Sequence, residues 1–200
     1  MTHSERGAPE AGSAILTLPN VVSFVRLLMI PLFLWLLLVR DEVAGAGWLL
    51  GIIGATDWVD GYLARRLDQV SEVGKFLDPL ADRLAVAAAL VGGLIAGVLE
   101  PWFAWALIVR EGMIAVGALF LGARLGAKLA VRDLGKLATL MLYAAIAWLF
   151  IGIGTPWPWL ETIAWIVAIP GLILYYVVGA QYFMDARALL AEEKAGTEAG

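Results

Sequence analysis

An all-α membrane protein with six transmembrane helices is the fold the sequence predicts, and three observations predict it. Hydrophobic residues make up 62% of the 200 and charged residues 16%, against about half and about a quarter in a soluble protein. Six apolar runs are each long enough to cross a bilayer as a helix, which takes about 20 residues. Lysine and arginine gather in alternate connections between those runs. The length suits one domain. Cysteine is absent, which excludes disulfides, thiolate metal sites and a cysteine nucleophile. The one histidine, His3, lies in the polar N-terminal stretch. Histidine-based zinc and Ser-His-Asp chemistry are thereby disfavoured.

Taken in order, residues 1–13 are polar and of mixed charge and read as a disordered cytosolic tail. They lack the basic-then-apolar order of a signal peptide, which favours a prokaryotic plasma membrane as the location. The membrane domain is expected over residues 14–187. Leu18-Pro19-Asn20 opens the first span, with Asn20 as N-cap, and the run continues to about Val39. Arg26 sits early enough to snorkel to the interface, and Pro31 predicts a kink. Arg40-Asp41-Glu42 ends this span. The second runs from about Val43 to Arg66, a short turn covers Leu67 to Lys75, and the third span runs from about Phe76 to Leu99. Glu100-Pro101 breaks the chain before a fourth span, about Trp102 to Leu121. A connection holding Arg124, Lys128, Arg132 and Lys136 leads to the fifth, roughly Leu134 to Ile153. The breaker-rich turn Gly154-Thr155-Pro156-Trp157-Pro158 precedes the sixth, about Ile163 to Phe183. The charged segment from Asp185 continues the helix into water, and residues 188–200 form a cytosolic C-terminal tail. The basic second-to-third and fourth-to-fifth connections place those turns and both termini in the cytosol, while Trp102, Trp157 and Trp159 mark the opposite interface. Gly47 with Gly51 and Gly93 with Gly97 have the spacing of close helix contacts but carry no functional weight.

Four acids interrupt the apolar pattern: Asp57 and Asp60 in the second span, Asp78 and Asp82 in the third. Each pair projects from one helix face, being three or four residues apart. Gly61 and Ala64 share the face of Asp57 and leave room for a ligand. At 1.5 Å per residue, Asp57 lies roughly 12–15 Å from the helix end at Arg66. With a short turn between them, the two helices should be antiparallel neighbours holding the acids near the cytosolic end of one cleft. An ionised carboxylate inside a membrane is costly without compensation. One or two Mg²⁺ or Mn²⁺ ions suit an all-oxygen set and bridge readily to phosphate. Arg65 suits a phosphate clamp, and one aspartate is left over as general base for a hydroxyl. Two other readings remain: a structural ion network with Arg65, Arg66, Lys75 and Arg83, and an ion or proton transporter.

From Asp57 to Asp82 the text is D-x2-D-G-x2-A-R-x8-G-x3-D-x3-D. This resembles the signature of the CDP-alcohol phosphatidyltransferase family, and the likeness extends over about residues 16–185. Members transfer a phosphatidyl group from a CDP-linked lipid to an alcohol and release CMP. The resemblance implies that Asp57, Asp60 and Asp78 bind the divalent metals. It implies that Asp82 is the general base and also touches a metal. Gly61, Ala64 and Arg65 would line the CDP site, with Gly74 shaping the turn beside it. It also implies a homodimer, which the Gly-rich spans permit. Intramembrane prenyltransferases, which also use Asp-rich metal sites, usually need more helices and two widely separated motifs.

For the acceptor, Arg110 lies mid-span in the fourth helix, where it either grips an acidic acceptor or pairs with Glu111. Lys136 opens the fifth helix and is the second candidate for an acceptor phosphate. The wording of the whole chain looks most like enzymes that make phosphatidylglycerol phosphate from glycerol 3-phosphate. It is also similar to cardiolipin synthases of the same family, which use phosphatidylglycerol. Many glycerol-phosphate enzymes carry a second lysine where this chain has Ala138, within Gly135-Lys136-Leu137-Ala138-Thr139. An inositol-phosphate acceptor fits the wording less well. No basic patch suggests nucleic acid.

Overall fold

The structure is a computed structural model. It describes the backbone of residues 18–67, 72–125 and 133–198, and the side chains of residues 21–56, 80–117, 119 and 133–188. Within those limits it is all-helical, with six helices. They are α1 (Leu18–Leu38), α2 (Val43–Leu67), α3 (Glu72–Ile95), α4 (Pro101–Leu125), α5 (Asp133–Gly154) and α6 (Pro158–Glu198). Among the described residues three of them, α1, α5 and α6, contain stretches long and apolar enough to cross a membrane.

The element order follows the sequence reading, but several ends move. α3 begins at Glu72, so Gly74 and Lys75 lie in its first turn and not in the preceding connection. α6 starts at Pro158 and runs to Glu198. An apolar run marks where a helix meets apolar surroundings, whereas its hydrogen-bonded backbone continues into polar residues on either side. The stops have local causes. Pro101 and Pro158 each occupy the first helical position, where proline's missing N–H costs nothing. Gly97, at φ 68°, closes α3: its N–H bonds to the Leu94 carbonyl at 3.2 Å and Val98 bonds to the Gly93 carbonyl at 2.9 Å.

The helices close into a ring in the spatial order α1, α2, α5, α6, α4, α3 and back to α1. α2 and α3 are in contact, and among the described residues α1 packs along both. The core runs through the middle of the ring. Phe33 of α1 meets Phe150 of α5 with ring centroids 5.8 Å apart. α2 and α5 approach closely at Gly47, where a Cβ would stand 2.8 Å from Ile151 and Phe150. A Cβ at Gly54 would collide with the Tyr143 ring. The Tyr143 hydroxyl donates to the Leu50 carbonyl at 3.1 Å. Large apolar side chains such as Phe24, Leu28, Trp105, Met113, Val116, Ile166 and Ile173 are exposed around the outside. So much exposed apolar surface is the mark of a protein that meets lipid or a partner.

Candidate active site

The acidic motif divides between two helices. Asp57, Asp60, Gly61, Ala64 and Arg65 lie in the C-terminal half of α2, and Gly74, Asp78 and Asp82 lie in α3. The side chains of residues 57–79 are outside the described ones, so Asp57, Asp60, Arg65 and Asp78 have a helical position but no described contact. Among the described residues there is no group of three candidate metal ligands. Asp82 is the member of the set whose surroundings are described.

Asp82 accepts a hydrogen bond from Arg26 Nη1 at its Oδ1, at 2.6 Å. The two ends of this pair differ. The Arg26 side chain is 1% exposed and the Asp82 side chain 47%. Arg26 therefore does not snorkel to the interface as the sequence suggested. It belongs to the buried stripe of α1 formed by Ser23, Arg26, Ile30, Phe33 and Leu37, spaced three and four residues apart like any core-facing helix stripe. A charged residue at the centre of a membrane helix costs about 3 kcal/mol, and the carboxylate on α3 offsets that cost better than a route to the surface would.

Asp82 lies on the wall of a cavity of about 430 Å³ inside the helix ring. Leu50, Leu90, Leu107 and Ile146 supply apolar walls from α2, α3, α4 and α5, and Arg83, Glu111, Tyr143 and Tyr175 add polar groups. A space of this size and lining is typical of a site for a largely apolar ligand.

Arg110 is buried at 8% exposure but lies behind this wall. Its Nη1 donates to Glu111 at 3.2 Å, and its guanidinium carbon sits 3.5 Å from the centroid of the Tyr175 ring on α6. The nearby Tyr176 hydroxyl donates to the Ala106 carbonyl at 2.8 Å, joining α6 to α4 again. Lys136 is exposed and pairs with Asp133 one turn away at 3.0 Å. Both cations that the sequence offered to an acceptor phosphate thus have carboxylate partners. Sequence reasoning missed the role of Arg26, whose inward stripe is apolar like the rest of α1, and the place of Glu111 and Tyr143 on the cavity wall, which has no local signal.

The donor chemistry of the motif fits a hard divalent cation, since all four candidates are carboxylates. Asp82 already has a cation at one oxygen, which leaves Asp57, Asp60 and Asp78 as the members with no described partner.

The family model for CDP-alcohol phosphatidyltransferase matches residues 16–177. A CMP-forming cardiolipin synthase from Streptomyces coelicolor is 37% identical over 189 residues, which is 90% of this chain and 87% of that protein. A CDP-diacylglycerol–glycerol-3-phosphate 3-phosphatidyltransferase from Bacillus subtilis is 38% identical over 136 residues, 61% of this chain and 70% of that protein. Its counterpart from Shigella flexneri is 32% identical over 191 residues, 88% of this chain and 98% of that protein.

Proposed function

This chain belongs to the CDP-alcohol phosphatidyltransferase family, and from that premise we propose that it moves the phosphatidyl group of CDP-diacylglycerol onto a glycerol hydroxyl carried by phosphatidylglycerol. It is an enzyme of phospholipid biosynthesis. The observation that carries the choice of acceptor is the half-exposed Asp82 carboxylate on the wall of a 430 Å³ apolar cavity. A reactive carboxylate beside a carbon-lined space suits a hydroxyl attached to an acyl chain. Each methylene taken from water contributes about 0.8 kcal/mol.

Asp82 accepts the proton of the attacking hydroxyl. The oxygen forms a bond to the phosphorus that bears diacylglycerol. The bond from that phosphorus to CMP breaks, CMP leaves with the electron pair, and Asp82 returns its proton to water. Gly61 and Ala64 leave space for the nucleotide, Arg65 grips its phosphates, and Gly74 keeps the start of α3 free of a side chain. Asp57, Asp60 and Asp78 would hold divalent metal, Mg²⁺ or Mn²⁺, with Asp82 at its edge. When bound, the metal supplies charge neutralisation to the pyrophosphate. Six spans over residues 14–187, with both termini cytosolic in a prokaryotic plasma membrane, complete the reading. The alternating basic connections and the six helices support it. A homodimer is part of the same proposal.

Glycerol 3-phosphate is the second reading. The names of the Bacillus and Shigella relatives favour it, and the exposed Arg83 on the cavity wall is a cation for its phosphate. The test is CMP release by the purified protein in detergent with CDP-diacylglycerol and Mg²⁺. Phosphatidylglycerol and glycerol 3-phosphate are supplied in separate reactions. Release with phosphatidylglycerol is expected. Release with glycerol 3-phosphate alone would replace the lipid acceptor by the second reading. A folded sample that releases CMP with neither, and carries ions across proteoliposomes, would support the transporter reading instead.

A further inference from the structure

We infer that Arg26 is a positioning residue for Asp82, holding from behind the carboxylate that takes the acceptor proton. The inference rests on the reading of Asp82 as general base. Arg26 is the one charged residue in the 21 of α1. It lies about 12 Å along the helix from Leu18, and its stripe neighbours Phe33 and Leu37 are each 1% exposed. Nothing in α1 itself can neutralise it. Its carboxylate partner stands on another helix, 56 residues away.

What points to function is the partner. The Arg110–Glu111 pair is open at its carboxylate end too, but Asp82 belongs to the acidic motif and takes its arginine from another helix. Here the guanidinium is sealed in the core while the carboxylate keeps nearly half its surface and faces the cavity. The bond is short for a charge-assisted pair, and short bonds of this kind are directional. The rigid guanidinium plane fixes the direction of Oδ1, and through it the torsion of the whole carboxylate. A general base has to stand about 2.6–3.2 Å from the proton it removes. Freed from Arg26, the Asp82 side chain has other staggered positions to occupy.

The experiment uses the full chain in detergent. CMP release is measured for Arg26→Met, Arg26→Lys, Asp82→Asn and the Arg26→Met/Asp82→Asn pair. Each is compared with wild type for kcat, KM for CDP-diacylglycerol and thermal midpoint. Arg26→Met is expected to lower kcat by ~10²-fold, the cost of a reacting group misplaced by an ångström, with KM unchanged. Arg26→Lys restores part of that loss, because a cation returns without the fixed plane. In the Asp82→Asn background, Arg26→Met causes no further loss of the residual rate. The midpoints should cross: Asp82→Asn lowers the midpoint by taking one carboxylate from a buried guanidinium, and adding Arg26→Met raises it again. That crossing keeps the test sound even where a single variant is poorly folded. Wild-type kcat in Arg26→Met, with Asp82→Asn inactive, would overturn the inference and leave Asp82 as base. Equal losses from Arg26→Met in both backgrounds would also overturn it, since Arg26 would then act independently of Asp82. Full activity in Asp82→Asn would remove the base assignment and the inference together.

Discussion

Among the described residues two arginines are buried in apolar helices, and they are neutralised in different ways. Arg110 of α4 is paired with the next residue, Glu111, and covered by the Tyr175 ring of α6. Arg26 of α1 has its acid on α3, and that acid opens into the cavity. The first arrangement is local, and its effect is to fasten α4 to α6. The second reaches across the ring and ends at a group placed to do chemistry. A buried charge is therefore a poor guide to function by itself. The partner decides: both acids reach the cavity wall, but Glu111 comes from the same helix turn while Asp82 comes from another element and from the acidic motif.

The sharpest way to break this contrast is at the acid. Asp82→Asn should lower the rate of CMP release by ~10²–10⁴-fold, the usual contribution of a general base. Binding of CDP-diacylglycerol, read separately by titration, should persist. A variant that still turned over at the wild-type rate would reduce the Arg26–Asp82 pair to a structural tie like that of Arg110.

Next in size is Arg110→Met. It removes a desolvated cation–π contact worth about 2 kcal/mol, so the thermal midpoint should fall. Glu111 keeps 38% of its side-chain surface, so its charge stays hydrated when the arginine is lost, and the penalty of a stranded buried acid is largely avoided. The kcat and the KM for the acceptor should remain near wild type. If KM for the acceptor rose while the midpoint held, Arg110 would recover the acceptor-binding role that its sequence position suggested, and the two arginines would be alike after all.

The same contrast explains what was legible in the sequence. The six helices were, because apolar runs are cut by Arg40-Asp41-Glu42, by Glu100-Pro101 and by Thr155-Pro156. Their ends shifted because hydropathy records the surroundings of a helix and not its hydrogen bonds. The four aspartates were legible through spacing, and Glu111 was visible as a partner for Arg110 because it is adjacent. Arg26 was not. In a helix apolar all round, the inward stripe Ser23, Arg26, Ile30, Phe33, Leu37 hardly differs in character from outward Phe24, Leu28 and Trp35. Without a polar face to set the phase, the side to which the arginine turns cannot be read. The cavity was hidden for a related reason. Its walls are ordinary leucines and isoleucines from four helices, and only the closure of the ring brings them together.

The smallest expected effect separates the two acceptors. Lys136 pairs with Asp133 on the surface, at 67% exposure. Such a helix pair contributes about 0.2–0.5 kcal/mol, and solvent screens it. Thr139, one turn further along α5, reaches the cavity wall, while Lys136 does not. With phosphatidylglycerol as acceptor, Lys136→Ala should leave kcat, KM and the thermal midpoint within error of wild type, even at low salt where an exposed charge acts furthest. With glycerol 3-phosphate as acceptor, a lysine that holds its phosphate would reveal itself as a rise in KM that grows as salt is lowered. A silent Lys136 and a silent Arg110, beside an Arg26 that costs turnover, would leave one of these three cations tied to the chemistry, the one whose partner belongs to the acidic motif.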